Sequence, residues 1–579
     1  MSGRVQFVVD GAQVEVDAAP GETLLSVLRE RLGVTSVKDG CAPQGQCGCC
    51  TVLVDGDARV ACVTPVERIA GREVTTVDGL PASERDAIAA SFVATGGSQC
   101  GFCTPGIIVR AAALRAKGKS TPTGVDRALA AHLCRCTGWR TVVDAIAAVD
   151  AIAAGDAPPR PTEPASARAG AEGGVGQRVG VDVALGHGGF ADDTAPRDAL
   201  VAVPLPPGSD APSVEAAGLQ WVVAESLFEA RELAGKVQGR RTTVEAAPPL
   251  ELPALPDGGV RLATSWVEPA YLEPDASWCL PGGEPASPLA NGGAFGGKES
   301  SVVAEAAREL ADNHERAVRT LFSREDVVRL GAKRPPIAAS AVLRDEKMHI
   351  EGIAADGLRQ SDLAPAHYVG LDTTISIKHA ALIGPPTSSA ARAAGFAEVC
   401  VLQEGALDAA GFDRSAHLPS ARAAAVFLDN VVALPGDGDH DGAMAGARVV
   451  IDGDTGRLER VEVRVAAGDP LDAVVMRSYA IGAAHMALGW VLTEGLAVDP
   501  ETGEVHDLTI RSFGVIRAKD TPPIDVTIVD DPGPRRARAS DAVFAAVAAS
   551  AWNALTRAEG VRPESFPARH TRAARMLRM

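Results

Sequence analysis

Eight of the eleven cysteines in this chain stand in two groups near its N-terminus: Cys41, Cys47, Cys50 and Cys62, then Cys100, Cys103, Cys134 and Cys136. Four thiolates per group are the ligand set of an iron-sulfur cluster, and two clusters in series conduct single electrons. The first group reads Cys-x5-Cys-x2-Cys, with the fourth cysteine after eleven intervening residues. That is a plant-type [2Fe-2S] loop with one extra residue. Gly40, Gly45 and Gly48 let the backbone bend around an anionic cluster and turn N–H groups toward sulfur. The second group spaces its pairs as Cys100-x2-Cys103 and Cys134-x-Cys136, with thirty residues between them. Zinc is the alternative occupant, because paired CxxC knuckles also hold structural zinc, although Cys134-x-Cys136 is tighter than a knuckle. A disulfide framework is disfavoured, since no secretory signal precedes these cysteines.

The residues around each group indicate what positions it. Val5, Phe7 and Val9, then Val14 and Val16, alternate as strands do, with Asp10-Gly11 as a hairpin turn. Leu24, Leu25, Leu28 and Leu32 follow at helical spacing until Gly33 stops them. The expectation is a small sheet on one helix, with the first cysteine loop on its rim. Around the second group, Ile107, Ile108, Ala111 and Leu114 form one helical stripe and Val125, Leu129 and Leu133 another. Pro105 suits a first turn and Gly118 a stop. Two antiparallel helices would then bring Cys100 and Cys103, at the start of one, beside Cys134 and Cys136 at the end of the next.

At this point a resemblance becomes specific. The stretches GCAPQGQCGCCTV, SQCGFCTPGIIV and HLCRCTGW, in this order, resemble the iron-sulfur portion of the molybdenum hydroxylases, the xanthine dehydrogenase and aldehyde oxidoreductase family. The resemblance implies a ferredoxin-like β-grasp domain over residues 1–80 and a four-helix domain over 81–154. It also implies that Gln99 and Cys136 lie against a molybdopterin. Cys49 falls at a position that is usually small, and reads as a spare thiol.

Composition agrees with a multi-domain α+β enzyme: 579 residues, 46% hydrophobic, leave room for several cores. A net charge of -18 argues against nucleic acid or an anionic membrane as partner. The most apolar stretch, Ala480 to Leu492, is too short to span a bilayer and contains His485. With no signal peptide read at MSGRVQFVV, a cytoplasmic location is expected. Residues 155–178, rich in Pro, Ala and Gly, read as a linker.

Beyond it, residues 179–275 resemble the first part of the family's molybdenum-binding portion, and 276–579 a shortened molybdopterin-binding portion. Ala270-Tyr-Leu-Glu-Pro274 resembles an AxLEP landmark, and Asn291 to Glu299 the glycine-rich GGxFGGKE loop. By that match Gly293, Phe295 and Gly296 border the cofactor, and Glu299 is a substrate-orienting carboxylate. Glycine suits such a loop, because backbone N–H groups crowd an anion only where side chains are absent. In PPTSSAARAAGFAE, Arg392 is in register with a cofactor-contacting arginine, while Ala393, Ala394 and Glu398 replace the family's Gly, Phe and Gln. Tyr479 stands where a cofactor-binding Gln belongs, and RASDAVFAAVAASAWNAL lacks the catalytic glutamate. Asp541 is the nearest carboxylate to it, with a helix-start role as the preferred reading. Only sixteen residues separate Pro274 from Asn291, where relatives carry a longer segment with a pterin-contacting glutamine.

The resemblance implies two [2Fe-2S] clusters and molybdenum-molybdopterin, with no FAD domain in this chain. A separate flavin subunit or another carrier would then accept the electrons, and a homo-oligomer is compatible with this reading. Two functions follow. One is hydroxylation of a purine, another N-heterocycle or an aldehyde with water. The other is electron transfer by a protein whose trimmed body no longer catalyses. Asp437-Gly-Asp-His-Asp441-Gly442 reads as a solvated acidic turn, since Arg448 occupies the closing position of a calcium loop. Cys279 and Cys400 read as ordinary thiols, and the histidines show no metal spacing.

Overall fold

The computed structural model describes residues 3–155, 161–235, 243–289, 294–365, 371–436 and 442–578. Asp10 and Gly11 both adopt positive φ, the left-handed turn that joins β1 (Gly3–Val9) to β2 (Ala12–Ala18) in register. Val5, Phe7 and Val9 face inward from β1. The leucine repeat begins as α1 (Leu24–Ser26), capped by Thr23, and continues over Val27–Arg31 as a wider π turn rather than the regular helix its spacing predicts. Leu24, Leu25 and Leu28 are buried all the same. The five-stranded sheet closes with β3 (Thr51–Val54), β4 (Asp57–Val60) and β5 (Glu73–Thr75) in the order β2-β1-β5-β3-β4, with β1 and β5 parallel.

Four helices follow: α2 (Ala82–Thr95), α3 (Thr104–Ala116), α4 (Pro122–Leu129) and α5 (Arg140–Ala153). Cys100 and Cys103 stand just before α3, as expected. Cys134 and Cys136 do not end α4, which stops at Leu129; they lie in the turn leading to α5. The turn frees Leu133 to donate its amide to Cys47 O of the first loop at 2.9 Å, a bond closed to it in a continuing α4, where that amide would serve the carbonyl one turn earlier.

Residues 155–178 are not simply a linker. They contain α6 (Thr162–Gly173), with Ala165 and Ala169 fully buried. Its pattern is too weak to announce a helix, but alanine is a strong helix former and a tertiary partner supplies the rest.

Next come α7 (Val181–Ala184), α8 (Ala191–Thr194), β6 (Leu200–Pro204), β7 (Val214–Ala216), β8 (Leu219–Ala224), α9 (Leu227–Ala234) and β9 (Val260–Thr264). After them run β10 (Ala276–Cys279), α10 (Val303–His314), β11 (Val318–Leu321) and α11 (Arg324–Leu330). The second sheet has the order β10-β11-β6-β8-β7. Alternation along β6 sends Leu200 and Ala202 toward α10, and Val201 and Val203 toward α9. Strands from both sides of residue 275 share this sheet, and β9 joins a different one, so the expected boundary at 275/276 does not separate two sheets.

The remaining body contains β12 (Ile337–Arg344), β13 (Lys347–Ala355), β14 (Asp372–Ala380), α12 (Phe396–Ala409), α13 (Ala421–Val426), β15 (Val432–Ala433), β16 (Met444–Ile451) and β17 (Leu458–Ala466). It ends with α14 (Ala473–Leu492), α15 (Ile510–Phe513), β18 (Ile524–Ile528), α16 (Ala539–Glu559), β19 (Ser565–Phe566) and α17 (Arg572–Arg578). Sheets β14-β13-β12-β9-β19 and β15-β16-β17-β18 pack with α12, α14 and α16. The apolar run noted at Ala480 to Leu492 is therefore a core helix, and among the described residues no helix is long and apolar enough to cross a membrane. Trp490 stacks on Phe544 and meets Phe566 edge-on, joining α14, α16 and β19.

Buried charges fasten the β-grasp unit to this body. Arg29 bonds Asp192 at 2.6 Å and Asp193 at 2.9 Å, and Lys38 bonds Asp193.

One enclosed pair inside the body makes stability depend on pH. Glu404 accepts from Arg414 at 2.7 Å; burial lifts its carboxyl to about 7, against the lowering pull of Arg414. A carboxyl raised on folding contributes stability below its ordinary value of 4.5 that is lost as the pH climbs through 7. Thermal unfolding of Glu404→Gln is expected to show a shallower loss across that interval than the parent, and equal slopes would contradict this assignment.

Candidate cluster sites and cavity

The first four cysteines are enclosed, each at most 2% exposed. Cys41 Sγ lies against those of Cys47 and Cys62, and Cys62 against Cys50. Backbone amides point at the sulfurs: Gln44 and Gln46 donate to Cys41 Sγ at 3.3 and 3.4 Å, and Cys62 to Cys50 Sγ at 3.4 Å. Gly45 and Gly48 take positive φ, the freedom this loop requires. Contact with Cys41 and Cys50, together with burial, pushes the Cys62 thiol far up, while contact with Cys47 and Cys62 pulls Cys41 down. So many enclosed sulfurs cannot ionise together without a cation.

The second four are paired two and two. Cys100 and Cys136 are 3.5 Å apart, and Cys103 touches Cys134. Contact with Cys103 lowers Cys134 to about 7, and Thr137 Oγ1 lies 3.0 Å from its sulfur. Each iron of a [2Fe-2S] cluster takes two cysteine thiolates and completes its tetrahedron with bridging sulfide. Two pairs of sulfurs fit that demand; a single zinc asks for four donors around one point. Among the described residues no group of three or more His, Cys, Asp or Glu side chains is placed to hold a single ion.

The two cysteine loops touch through their backbones. A Cβ at Gly106, in the first turn of α3, would stand 2.4 Å from Gly48 O, and one at Gly48 would strike the His132 ring at 2.5 Å. Cys49 is not a surface thiol. It is enclosed against Cys47 and lies near enough to Cys103 and Cys134 to act on them electrostatically.

The cysteine loops are also clasped to the large body. Gln44 bonds Glu325 at 2.8 Å and Leu508 O at 3.1 Å. Arg135, between Cys134 and Cys136, makes a two-pronged bond to Glu494 at 2.6 and 2.8 Å and donates to Pro269 O at 2.8 Å.

Phe295, Gly296, Glu299, Arg392, Tyr479 and Asp541 line one cavity of about 630 Å3. Gly293 lies outside the described residues, as do residues 437–441 of the acidic turn. The Arg392 guanidinium lies 4.5 Å from the Phe295 ring centre and 3.8 Å from Asp541. Asp541 is also bonded by Arg538 at 2.6 Å. It is not the cap of α16: the helix begins at Ala539 after Arg538, so Asp541 sits in its first turn, and the helix is buried on all sides from Ala539 to Leu555 rather than amphipathic. Glu398 is explained by Arg334, which grips it at 2.6 and 2.7 Å and holds the Arg392 and Ala393 carbonyls. Phe295, Ala393 and Arg538 all take positive φ around this cavity. Such a conformation costs an ordinary residue on the order of 1–2 kcal/mol.

Gln99 is not among the cavity residues. Its amide donates to Cys136 O at 3.0 Å and Ser478 Oγ at 2.9 Å, with α14 packed directly over it. The pairs Arg135–Glu494 and Arg334–Glu398 had no sequence signal, since their partners lie 359 and 64 residues apart.

Comparison with known proteins agrees with the cysteine geometry. A 2Fe-2S iron-sulfur cluster binding domain model matches residues 7–71, and a [2Fe-2S] binding domain model matches 76–147. The xanthine dehydrogenase iron-sulfur-binding subunit of Escherichia coli O157:H7 is 38% identical over 146 residues, 24% of this chain and 91% of that subunit. The aldehyde oxidoreductase of Megalodesulfovibrio gigas is 44% identical over 131 residues, 22% of this chain and 14% of that protein. The solved aldehyde oxidoreductase from Desulfovibrio gigas shares the fold at TM-score 0.76 and 15% identity, covering 100% of each chain. This chain carries two [2Fe-2S] domains and belongs to the molybdenum hydroxylase family, the oxidoreductases that include xanthine dehydrogenase and aldehyde oxidoreductase.

Breaking the Arg135–Glu494 pair leaves a guanidinium buried without its counter-charge, a cost of roughly 3–5 kcal/mol. Glu494→Ala is expected to lower the unfolding temperature by several degrees in a scanning calorimeter; a shift within error would mean the pair contributes nothing.

Proposed function

We propose that this chain carries electrons for an oxidoreductase of the molybdenum hydroxylase type, passing them one at a time between two [2Fe-2S] clusters. One cluster would be held by Cys41, Cys47, Cys50 and Cys62, the other by Cys100, Cys103, Cys134 and Cys136. The carrying observation is the two-and-two pairing of Cys100 with Cys136 and of Cys103 with Cys134. Backbone contact between the cysteine loops supports short-range transfer from one cluster to the other. The clusters would supply reversible one-electron chemistry; the chain's own part is to enclose them, aim amides at their sulfurs and fix the second loop through Arg135. The acceptor is a separate flavin subunit or another carrier. In support, relatives that this chain covers almost whole are themselves named as subunits, among them the isoquinoline 1-oxidoreductase subunit alpha of Brevundimonas diminuta, 35% identical over 144 residues and covered to 94%.

A second reading is the full family reaction, hydroxylation of a purine, another N-heterocycle or an aldehyde beside molybdenum-molybdopterin. The cavity favours it, with Phe295, Gly296, Arg392 and Glu299 on its wall. The rest of the site does not fit that cofactor. Gln99 is already bonded within the protein, Tyr479 replaces a polar amide, and Asp541, the carboxylate nearest the missing glutamate in the sequence, is held by two arginines. A general base must be unencumbered and correctly aimed, so the first reading is the better supported.

Native protein is expected to contain about four irons per chain and to show the visible and paramagnetic signatures of two reducible clusters. Colourless, zinc-containing protein would overturn the proposal. Cys50→Ser is expected to halve the iron, whereas Cys49→Ser retains it. Bleaching by hypoxanthine or an aldehyde, with molybdenum present, would transfer support to the second reading.

A further inference from the structure

Between the second cysteine group and the cavity there is protein where the family resemblance places a pterin. Helix α14 meets the Cys136 loop backbone to backbone: a Cβ at Gly482 would stand 1.8 Å from Cys136 O. Ser478, one turn earlier, takes the Gln99 amide and donates to Gly96 O at 2.7 Å. Tyr479 is 3% exposed and packs with Val475 against Ala165 and Ala169 of α6. These groups fill the space between α6 and the Cys136 loop on the α14 side.

The same helix covers the other end of the site. Glu172 Oε2 accepts the Ser540 amide at 2.7 Å, Ala171 O accepts the Arg538 amide at 2.9 Å, and Arg168 donates to Arg536 O at 2.7 Å. Arg168 and Glu172 are themselves joined and enclosed. The first amides of a helix have no partner within it and attract an anion. Here the anion is a side chain of α6, seated on the first turn of α16 where the family's catalytic segment stands.

We propose that α6 is an intrachain wedge that has taken the pterin's place, so that the folded chain holds its two clusters and binds no molybdopterin. The inference rests on the cluster reading above and goes beyond it: the segment that began as a connector now completes the core of the shortened body. Its apolar half replaces the contact surface that a buried cofactor would have given Tyr479 and α14. Its charged end replaces the anion at α16. The cavity of about 630 Å3 that remains is lined by the C-terminal end of α6 and is separated from Cys136 by Tyr479.

The test uses the full-length protein made in a host that synthesises molybdopterin. Iron, molybdenum and pterin are quantified, and amide hydrogen exchange is followed on the same preparation. Molybdenum and pterin below about a tenth of the chain are expected, with amides of residues 165–173 protected at least about 100-fold over an unstructured chain. Glu172→Ala is expected to speed their exchange about tenfold or more while leaving the visible spectrum intact. Pterin approaching one per chain with iron intact would overturn the wedge alone, as would exchange of residues 165–173 at the rate of a linker or a Glu172→Ala profile identical to the parent. Loss of iron and colour would instead overturn the cluster reading.

Discussion

Sulfur burial is the constraint from which the rest of this molecule follows. Eight cysteine side chains are at most 9% exposed and lie in mutual contact, an arrangement that raises some thiols and lowers others until few can share a proton comfortably. In the proposed clusters iron would remove the conflict, because each metal would replace protons on two sulfurs and the surrounding amides would stabilise the remaining negative charge. The glycines of the first loop, the tight turn before α5 and the contact of α3 with Gly48 all serve that enclosure.

Buried ion pairs also fasten the cysteine-bearing units to the large body. Arg135, beside the second group, is gripped by Glu494 just beyond the end of α14. Arg29 and Lys38 do the equivalent work between the β-grasp unit and Asp192 and Asp193. Such pairs add little net stability when intact, but each is costly to break, so they specify one docking geometry among the units. The redox units and the body are therefore fastened by directional charges as well as by apolar packing.

The candidate residues of the larger body meet at one cavity of about 630 Å3. Phe295, Ala393 and Arg538 take positive φ around it, and Arg392 lies 3.8 Å from Asp541. Helix α6 packs its Ala165 and Ala169 against Val475 and Tyr479 of α14, the contact on which the proposed wedge rests.

The sequence alone determined the cysteine groups, the hairpin at Asp10-Gly11, the helix start at Pro105 and the family, because each depends on residues close together in the chain whose spacing is fixed by local backbone geometry. The glycine-rich loop, Glu299, Arg392 and Asp541 were also legible as candidates, and they do meet at one cavity. Tertiary structure alone decided the π turn after Ser26, the fate of the connector that became α6, and the partners of Arg135, Arg334 and Glu172. Arg135, Glu172 and Arg334 meet partners 359, 368 and 64 residues away in the chain. A weakly patterned alanine helix or a lone arginine has no local signature, and only a complementary surface brought by the rest of the fold makes its burial favourable.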